Sequence, residues 1–296
     1  MSDGRIVAGF DGSASAWRAL DWAIGRAAQR GDALDVVFAL DTRFGSAAFG
    51  PSFDLAGTVE AELRQAETHL TARAPSVRAH FGWVDGPAAG ALVHASAGAA
   101  LLVVGTDKRP GQQKPRIGSL PLHIAAKADC AVAVIPHSPA PDRKAVVVGI
   151  DRSSYARSAL ALAVTEASWR GAALEAVHAW DVPELFQRAL DDGKSLDPAF
   201  VEAEQRVIPD AVADVPLARS ASITPYAVRQ NPAAALIERG TGAELLVLGT
   251  RGRGRFAASM LGSVSHDVLV NIPCPVIVTP KEYSFVGPDG QPEQTW

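Results

Sequence analysis

The residues best suited to chemistry in this chain form a glycine-bearing loop in its second half. Gly249 ends an apolar run, Gly252 follows after two residues, and the pair Gly262-Ser263 follows after nine more. Glycines let a backbone approach a phosphate without side-chain interference. Amides at a helix start, together with the Ser263 hydroxyl, can bind an anion. The spacing therefore predicts a phosphate cradle that opens a helix.

A related but altered loop lies in the first half of the chain. Gly105 and the pair Gly118-Ser119 keep the same spacing, but Lys108 stands where the second half has Gly252. A long side chain at a close-approach position can block the phosphates, or its ammonium can contact them as a point charge. We therefore expect the first site to be weak or empty.

Both loops belong to one internal repeat. The segment RIVAGFDGSASAWRALDWA returns as AVVVGIDRSSYARSALALA, so that Asp11 corresponds to Asp151. Each copy alternates short β-branched runs with helical patterns, which is typical of βαβ units and a parallel sheet. A polar, proline-bearing linker, HSPAPDRKA, separates the copies. We predict domains at 1–138 and 144–283, followed by a flexible tail at 284–296.

The residue pattern also predicts the order of the strands. The third strand of the first copy alternates polar and apolar residues, and its counterpart contains Pro225, which favours an edge position. Strands one and four are apolar on both faces, as central parallel strands are. The predicted fold is α/β, with two tandem doubly wound five-stranded parallel sheets in the order 3-2-1-4-5. Ligands of such sheets bind at the switch point between strands one and four.

The fifth strands suggest how the two copies pack. Their sequences, AVAVIP and PVIVTP, are apolar on both faces although they lie at a predicted sheet edge. An apolar edge favours pairing with another chain, and a short linker lets the two edges cover each other. We expect an intramolecular domain pair about a pseudo-twofold axis, while a homodimer through other surfaces stays open.

At this point a family resemblance can be stated. The pattern G-x2-G-x9-G-[S/T] after the fourth strand resembles the ATP-binding signature of the universal stress protein family, and the similarity covers both copies. In ATP-binding members the first-strand aspartate lies by the ribose, a residue late in strand two touches the adenine, and the glycine loop holds the phosphates. The resemblance gives these roles to Asp151, Ala179, Gly249, Gly252, Gly262, Ser263 and Val264.

The resemblance also implies a ligand and a first-copy set. The equivalent positions are Asp11, Ala39, Gly105, Gly118 and Ser119. Arg251, Arg253 and Arg255 are not part of the signature, but their charge suits a triphosphate. The implied ligand is ATP, with or without Mg²⁺, while AMP, ADP and a cyclic nucleotide remain alternatives.

The implied function is an ATP-binding stress and growth regulator whose nucleotide state changes its shape or its partner protein. The sequence offers a phosphate cradle but no evident general base, so we expect no enzyme beyond a slow ATPase. The alternative is an ATP-using enzyme of the related adenine-nucleotide fold, such as a slow ATPase or a nucleotidyl transferase. Against it, the loops GFDGSAS and GIDRSSY lack the SGGxDS pyrophosphate loop. A receiver-like domain phosphorylated on Asp11 or Asp151 would need a lysine after the fifth strand, and neither copy offers a convincing one.

Composition sets the remaining bounds. A formal net charge of -4 gives no field that would attract nucleic acid. Two distant cysteines, Cys130 and Cys274, predict neither a disulfide framework nor a zinc cluster, and we read them as small buried residues. Apolar runs too short for a signal peptide or a membrane span lead us to expect a cytoplasmic protein. We expect His178 to be a packed, hydrogen-bonded residue and the six tryptophans to form no stacking platform for bases.

Overall fold

The computed structural model describes residues 4–49, 54–107, 119–138, 140–252 and 261–280. The chain divides into two compact units, the first ending at His137 and the second beginning at Ser138. Each unit is a parallel sheet with helices, as the internal repeat predicts. The predicted pairing of the two copies stays a prediction.

The first unit contains strands β1 to β5 and helices α1 to α5. The strands span Ile6–Phe10, Leu34–Leu40, Ala79–Asp85, Leu101–Gly105 and Ala131–Ile135. The helices span Ala14–Arg30, Thr42–Phe49, Leu55–Arg73, Ala88–Ala95 and Ser119–Lys127. The described strand pairs within this unit are parallel and give the order β3-β2-β1-β4-β5.

The second unit contains strands β6 to β10 and helices α6 to α11. The strands span Ala145–Gly149, Ala173–Trp180, Ile223–Arg229, Leu245–Gly249 and Val276–Thr279. The helices span Ser154–Arg170, Glu184–Asp191, Pro198–Gln205, Val207–Asp214, Pro232–Gly240 and Ser263–Val270, with a 3-10 turn at Pro216–Ala218. The parallel order β8-β7-β6-β9-β10 repeats the first unit and confirms the predicted 3-2-1-4-5.

The difference between edge and centre follows the residue pattern. All of β1 is buried, whereas β3 alternates between exposed and half-buried side chains. Pro225 on β8 lies opposite Ala176 of β7, and β7 is the only described strand with which β8 pairs. Proline lacks an amide hydrogen, so it is tolerated on a strand that has a single neighbour. The strands β6 and β9 pair in parallel at the middle of this sheet, so their carboxyl ends lie side by side.

Both cysteines are buried, as the sequence predicts. Burial raises the pKa of the Cys274 thiol to about 12, and burial also raises the pKa of Cys130 above its usual value. Because the thiolate is the reactive form, we expect the native chain to resist alkylation at pH 8 and the denatured chain to react at both thiols. Mass spectrometry after timed iodoacetamide treatment measures this, and rapid labelling of the native chain would show that the thiols are accessible.

Candidate functional site

A cavity of about 550 Å³ opens in the second unit at the carboxyl ends of β6, β7 and β9. This is the switch point of the sheet, where the first and fourth strands of the unit lie side by side. The first turn of α11 and parts of α8 and α10 complete the wall. The volume lies within the range of small-molecule sites.

The structure brings the predicted residues of the second copy together around this cavity. All those that the structure describes line it: Asp151, Ala179, Gly249, Arg251, Gly252, Gly262, Ser263 and Val264. Arg253 and Arg255 lie outside the described residues. Residues far apart in the chain are therefore gathered at one edge of the sheet.

The equivalent residues of the first copy occupy the same places in the first sheet. Asp11 follows β1, Ala39 lies near the end of β2, Gly105 ends β4, and Ser119 begins α5. Gly118 and Lys108 lie outside the described residues. The expected weakness of the first site therefore stays a prediction.

Asp151 is held in place by the turn between β6 and α6. Its Oδ1 accepts a hydrogen bond from the Ser153 amide at 2.9 Å and another from the Ser153 hydroxyl. Ser153 in turn caps α6 by accepting from the Ala156 amide at 3.1 Å. Asp151 thus takes part in the helix cap and still presents a fixed carboxylate to the cavity.

Gly252 and Gly249 are required for different reasons. A Cβ atom on Gly252 would lie 2.6 Å from Oδ2 of Asp151, so only glycine lets the loop pass this carboxylate without displacing it. A Cβ atom on Gly249 would lie 2.6 Å from Cβ of Tyr155 and 2.9 Å from its carbonyl carbon. Close packing of α6 against β9 therefore requires Gly249 by itself, in addition to the phosphate approach that its spacing suggests.

The start of α11 is a helix end without a side-chain cap. Gly262 is the N-cap in an extended conformation and, as a glycine, makes no side-chain cap hydrogen bond. The loop is closed by backbone, because the Gly262 amide donates to the Thr250 carbonyl at 2.8 Å. The amides of Ser263 and Val264 thus begin the helix at the cavity wall, where the helix dipole favours an anion.

Three further side chains line the cavity but were not among the site residues predicted from the sequence. His178 and Glu204 are buried, and the half-buried Trp180 lies beside them. Nδ1 of His178 lies 2.8 Å from the Ile150 carbonyl and Nε2 lies 2.8 Å from a Glu204 carboxylate oxygen. The expectation of a packed, hydrogen-bonded His178 is confirmed. The sequence did contain a sign of their importance, because the two copies differ here: Phe38 and Leu40 occupy the positions of His178 and Trp180 in the first copy.

The charge state of this buried group follows from its contacts. Burial would raise the pKa of Glu204, but the hydrogen bonds from His178 and Arg152 outweigh it and hold the pKa below its usual value. Arg152 donates to the second carboxylate oxygen at 2.8 Å. Both ring nitrogens of His178 therefore face oxygen atoms, the Ile150 carbonyl on one side and the Glu204 carboxylate on the other.

Metal and membrane features were sought in the same residues. Within the described part of the chain, no three His, Cys, Asp or Glu side chains cluster in a way that could hold a metal ion. None of the described helices has the length and apolar character needed to cross a membrane.

The family model and the relatives that match this chain all belong to one protein family. The model of the universal stress protein family matches residues 4–136 and 142–280. Universal stress protein Rv1996 of Mycobacterium tuberculosis is 30% identical over 308 residues, which cover 92% of this chain and 94% of the relative. Universal stress protein Rv2005c of the same organism is 36% identical over 195 residues, but the match covers only 64% of that relative's length and 63% of this chain.

A solved structure shares the fold. The crystal structure of a universal stress protein from Archaeoglobus fulgidus superposes with a TM-score of 0.64 at 18% sequence identity. The superposition covers 95% of this chain and 100% of that chain. At this level of identity the likeness supports the architecture alone.

Proposed function

This chain is a tandem member of the universal stress protein family, and from that premise we propose that its second unit binds an adenine nucleotide, in the first place ATP. The observation that carries the proposal is the uncapped start of α11 in a cavity that Asp151 and Gly252 also line. We further propose that the bound nucleotide regulates a partner protein in the cytoplasm.

The residues present fit the phosphates of such a ligand. The Ser263 and Val264 amides, together with the Ser263 hydroxyl, offer donors at the positive end of α11. Arg251 lines the same part of the cavity and supplies a positive charge. Gly252 keeps the loop free of a side chain beside Asp151. Phosphate oxygens of ATP together with water molecules would supply most ligands of an accompanying Mg²⁺.

We propose binding and not rapid catalysis, because the cavity carboxylates already have partners. Asp151 accepts from Ser153, and Glu204 accepts from His178 and Arg152. A general base must be free to take the proton that it removes, and these hydrogen bonds already engage both carboxylates. The ATP-using enzyme is the competing proposal, and turnover separates the two.

We expect the purified chain to release an adenine nucleotide on denaturation, detected by mass spectrometry. Added ATP should raise the free energy of unfolding by about 2.7 kcal/mol at a hundredfold excess over its Kd. Turnover should stay far below the enzyme median of about 10 per second. The proposal is wrong if the chain releases no adenine nucleotide and if ATP, ADP, AMP and cyclic AMP all fail to stabilise it. Turnover near that median would favour the enzyme.

A further inference from the structure

The cavity wall opposite the phosphate loop is formed by the end of β7. Trp180 lies there, and its indole ring stacks on the His178 imidazole with ring centroids 5.7 Å apart and planes inclined by 21°. Strands β7 and β9 flank β6 on opposite sides. Their ends are therefore about 10 Å apart, two spacings of neighbouring strands. A ligand with its phosphates at α11 extends across β6 toward this aromatic pair.

The polar atom of Trp180 lacks an acceptor. Its Nε1 is buried and has no hydrogen-bond partner within the part of the chain that the structure describes. A buried donor without an acceptor destabilises a protein. Such groups call for an explanation, and an acceptor atom of a ligand at the edge of the indole, such as a ribose oxygen of a nucleotide whose base lies on the ring face, would provide one.

A buried network fixes the ring beneath Trp180. His178 is 4% exposed and lies between the Ile150 carbonyl and the Glu204 carboxylate. Arg152 contacts the other Glu204 oxygen and also donates to the Ala203 carbonyl at 2.8 Å. The imidazole plane is thus set by contacts on both of its nitrogens.

The first unit folds in the same way without these side chains. Phe38 and Leu40 occupy the positions of His178 and Trp180 in the repeat. The pairing of β2 with β1 nevertheless has the same parallel register as that of β7 with β6. Burying charged groups in place of apolar ones seldom adds stability. The fold alone therefore does not account for the polar residues at the end of β7.

We propose that Trp180 stacks on the base of the nucleotide and that His178, held by Glu204, is the positioning residue that orients the indole. This inference rests on the proposed nucleotide binding, whose base the family resemblance places late in this strand at Ala179, and adds the roles of Trp180 and His178. Stacking on an aromatic ring tolerates any base, but it gains with the area of the ring system. The second unit therefore binds purine nucleotides more tightly than pyrimidine nucleotides.

Calorimetry with ATP, UTP and inorganic tripolyphosphate on the full chain tests this subsite. Trp180→Leu installs the first-unit residue and should weaken ATP binding about tenfold. Tripolyphosphate has no base, so its binding should not change. Trp180→Phe keeps an aromatic face and should restore most of the ATP affinity. Trp169→Leu is the matched control, because Trp169 lies on α6 and does not line the cavity.

His178→Phe tests the positioning role with the other first-unit residue. It should weaken ATP binding while leaving tripolyphosphate binding unchanged. ATP should quench the tryptophan fluorescence of the wild type, and this quenching should diminish in His178→Phe. A residue that only maintains the fold would affect both ligands alike.

The outcomes separate this inference from the proposed function. If the wild type binds neither ATP nor UTP, the proposed function itself fails. If the wild type binds ATP and Trp180→Leu binds it equally well, the base subsite is wrong and nucleotide binding stands. Equal weakening of ATP and tripolyphosphate in both Trp180→Leu and Trp180→Phe would also overturn it, since Trp180 would then act through the fold.

Discussion

The Gly252→Lys variant should lose ATP affinity by about a hundredfold, which corresponds to about 2.7 kcal/mol. A Cβ atom at this position would lie 2.6 Å from Oδ2 of Asp151, so the loop or the carboxylate must move. Either movement displaces a group that lines the cavity, and the long lysine side chain takes up space beside the start of α11, where the phosphates are proposed to bind. The substitution also copies Lys108 of the first unit. Isothermal titration of the full chain with ATP measures the effect.

Gly25→Lys is the matched control for this variant. A Cβ atom on Gly25 meets no atom within 4 Å, and the residue lies on α1 of the first unit. The control adds the same charge and removes a glycine without touching the cavity, so its ATP affinity should equal that of the wild type. If Gly252→Lys instead keeps the full ATP binding of the wild type, the nucleotide is bound elsewhere and the assignment to the second unit is wrong.

Local sequence signals were sufficient to predict the sheet. The alternation along β3 and Pro225 on β8 mark strands with one neighbour, while the apolar β1 and β4 mark strands with two. These signals work because burial on one face or both is set by the position of a strand in the sheet. The internal repeat then transferred the order from one unit to the other.

The phosphate end of the site was also predictable, since it depends on one continuous loop. Only nine residues separate Gly252 from the pair Gly262-Ser263, which opens α11. The opposite wall was not predictable in the same way. His178 meets Glu204 only because α8 packs beside β7, and no spacing in the sequence states that contact. Trp180 gained significance only from its place at the cavity.

Gly249 shows a second limit of reasoning from spacing. Its place in the motif suggested a close approach to phosphate, and the structure adds a close approach of α6. The distance between a helix and a strand is a property of tertiary packing, which the loop sequence does not encode. Gly105 of the first unit has the same packing role, since its missing Cβ faces the first turn of α1. Both units therefore need this glycine whether or not they bind a ligand.

Gly105→Ala should lower the free energy of unfolding by about 3 kcal/mol, which is at the upper end of the usual cost of overpacking a core. The added Cβ atom would overlap the carbonyl group of Ser15 and approach its Cβ to 2.9 Å. The overlap is with backbone in the first turn of α1, so the helix itself must move away from β4. Urea unfolding followed by circular dichroism measures the loss, and the first unit should unfold at a lower urea concentration.

The control for this prediction is Gly25→Ala, in the same helix but with open space around the added atom. Alanine favours a helix over glycine by roughly 1 kcal/mol, so this variant should be slightly more stable than the wild type. Gly249→Ala should destabilise the second unit for the same reason as Gly105→Ala does the first, because its Cβ meets Tyr155 of α6. A wild-type urea midpoint for Gly105→Ala would mean that α1 does not lie this close to β4, and the packing role assigned to both glycines would then be wrong.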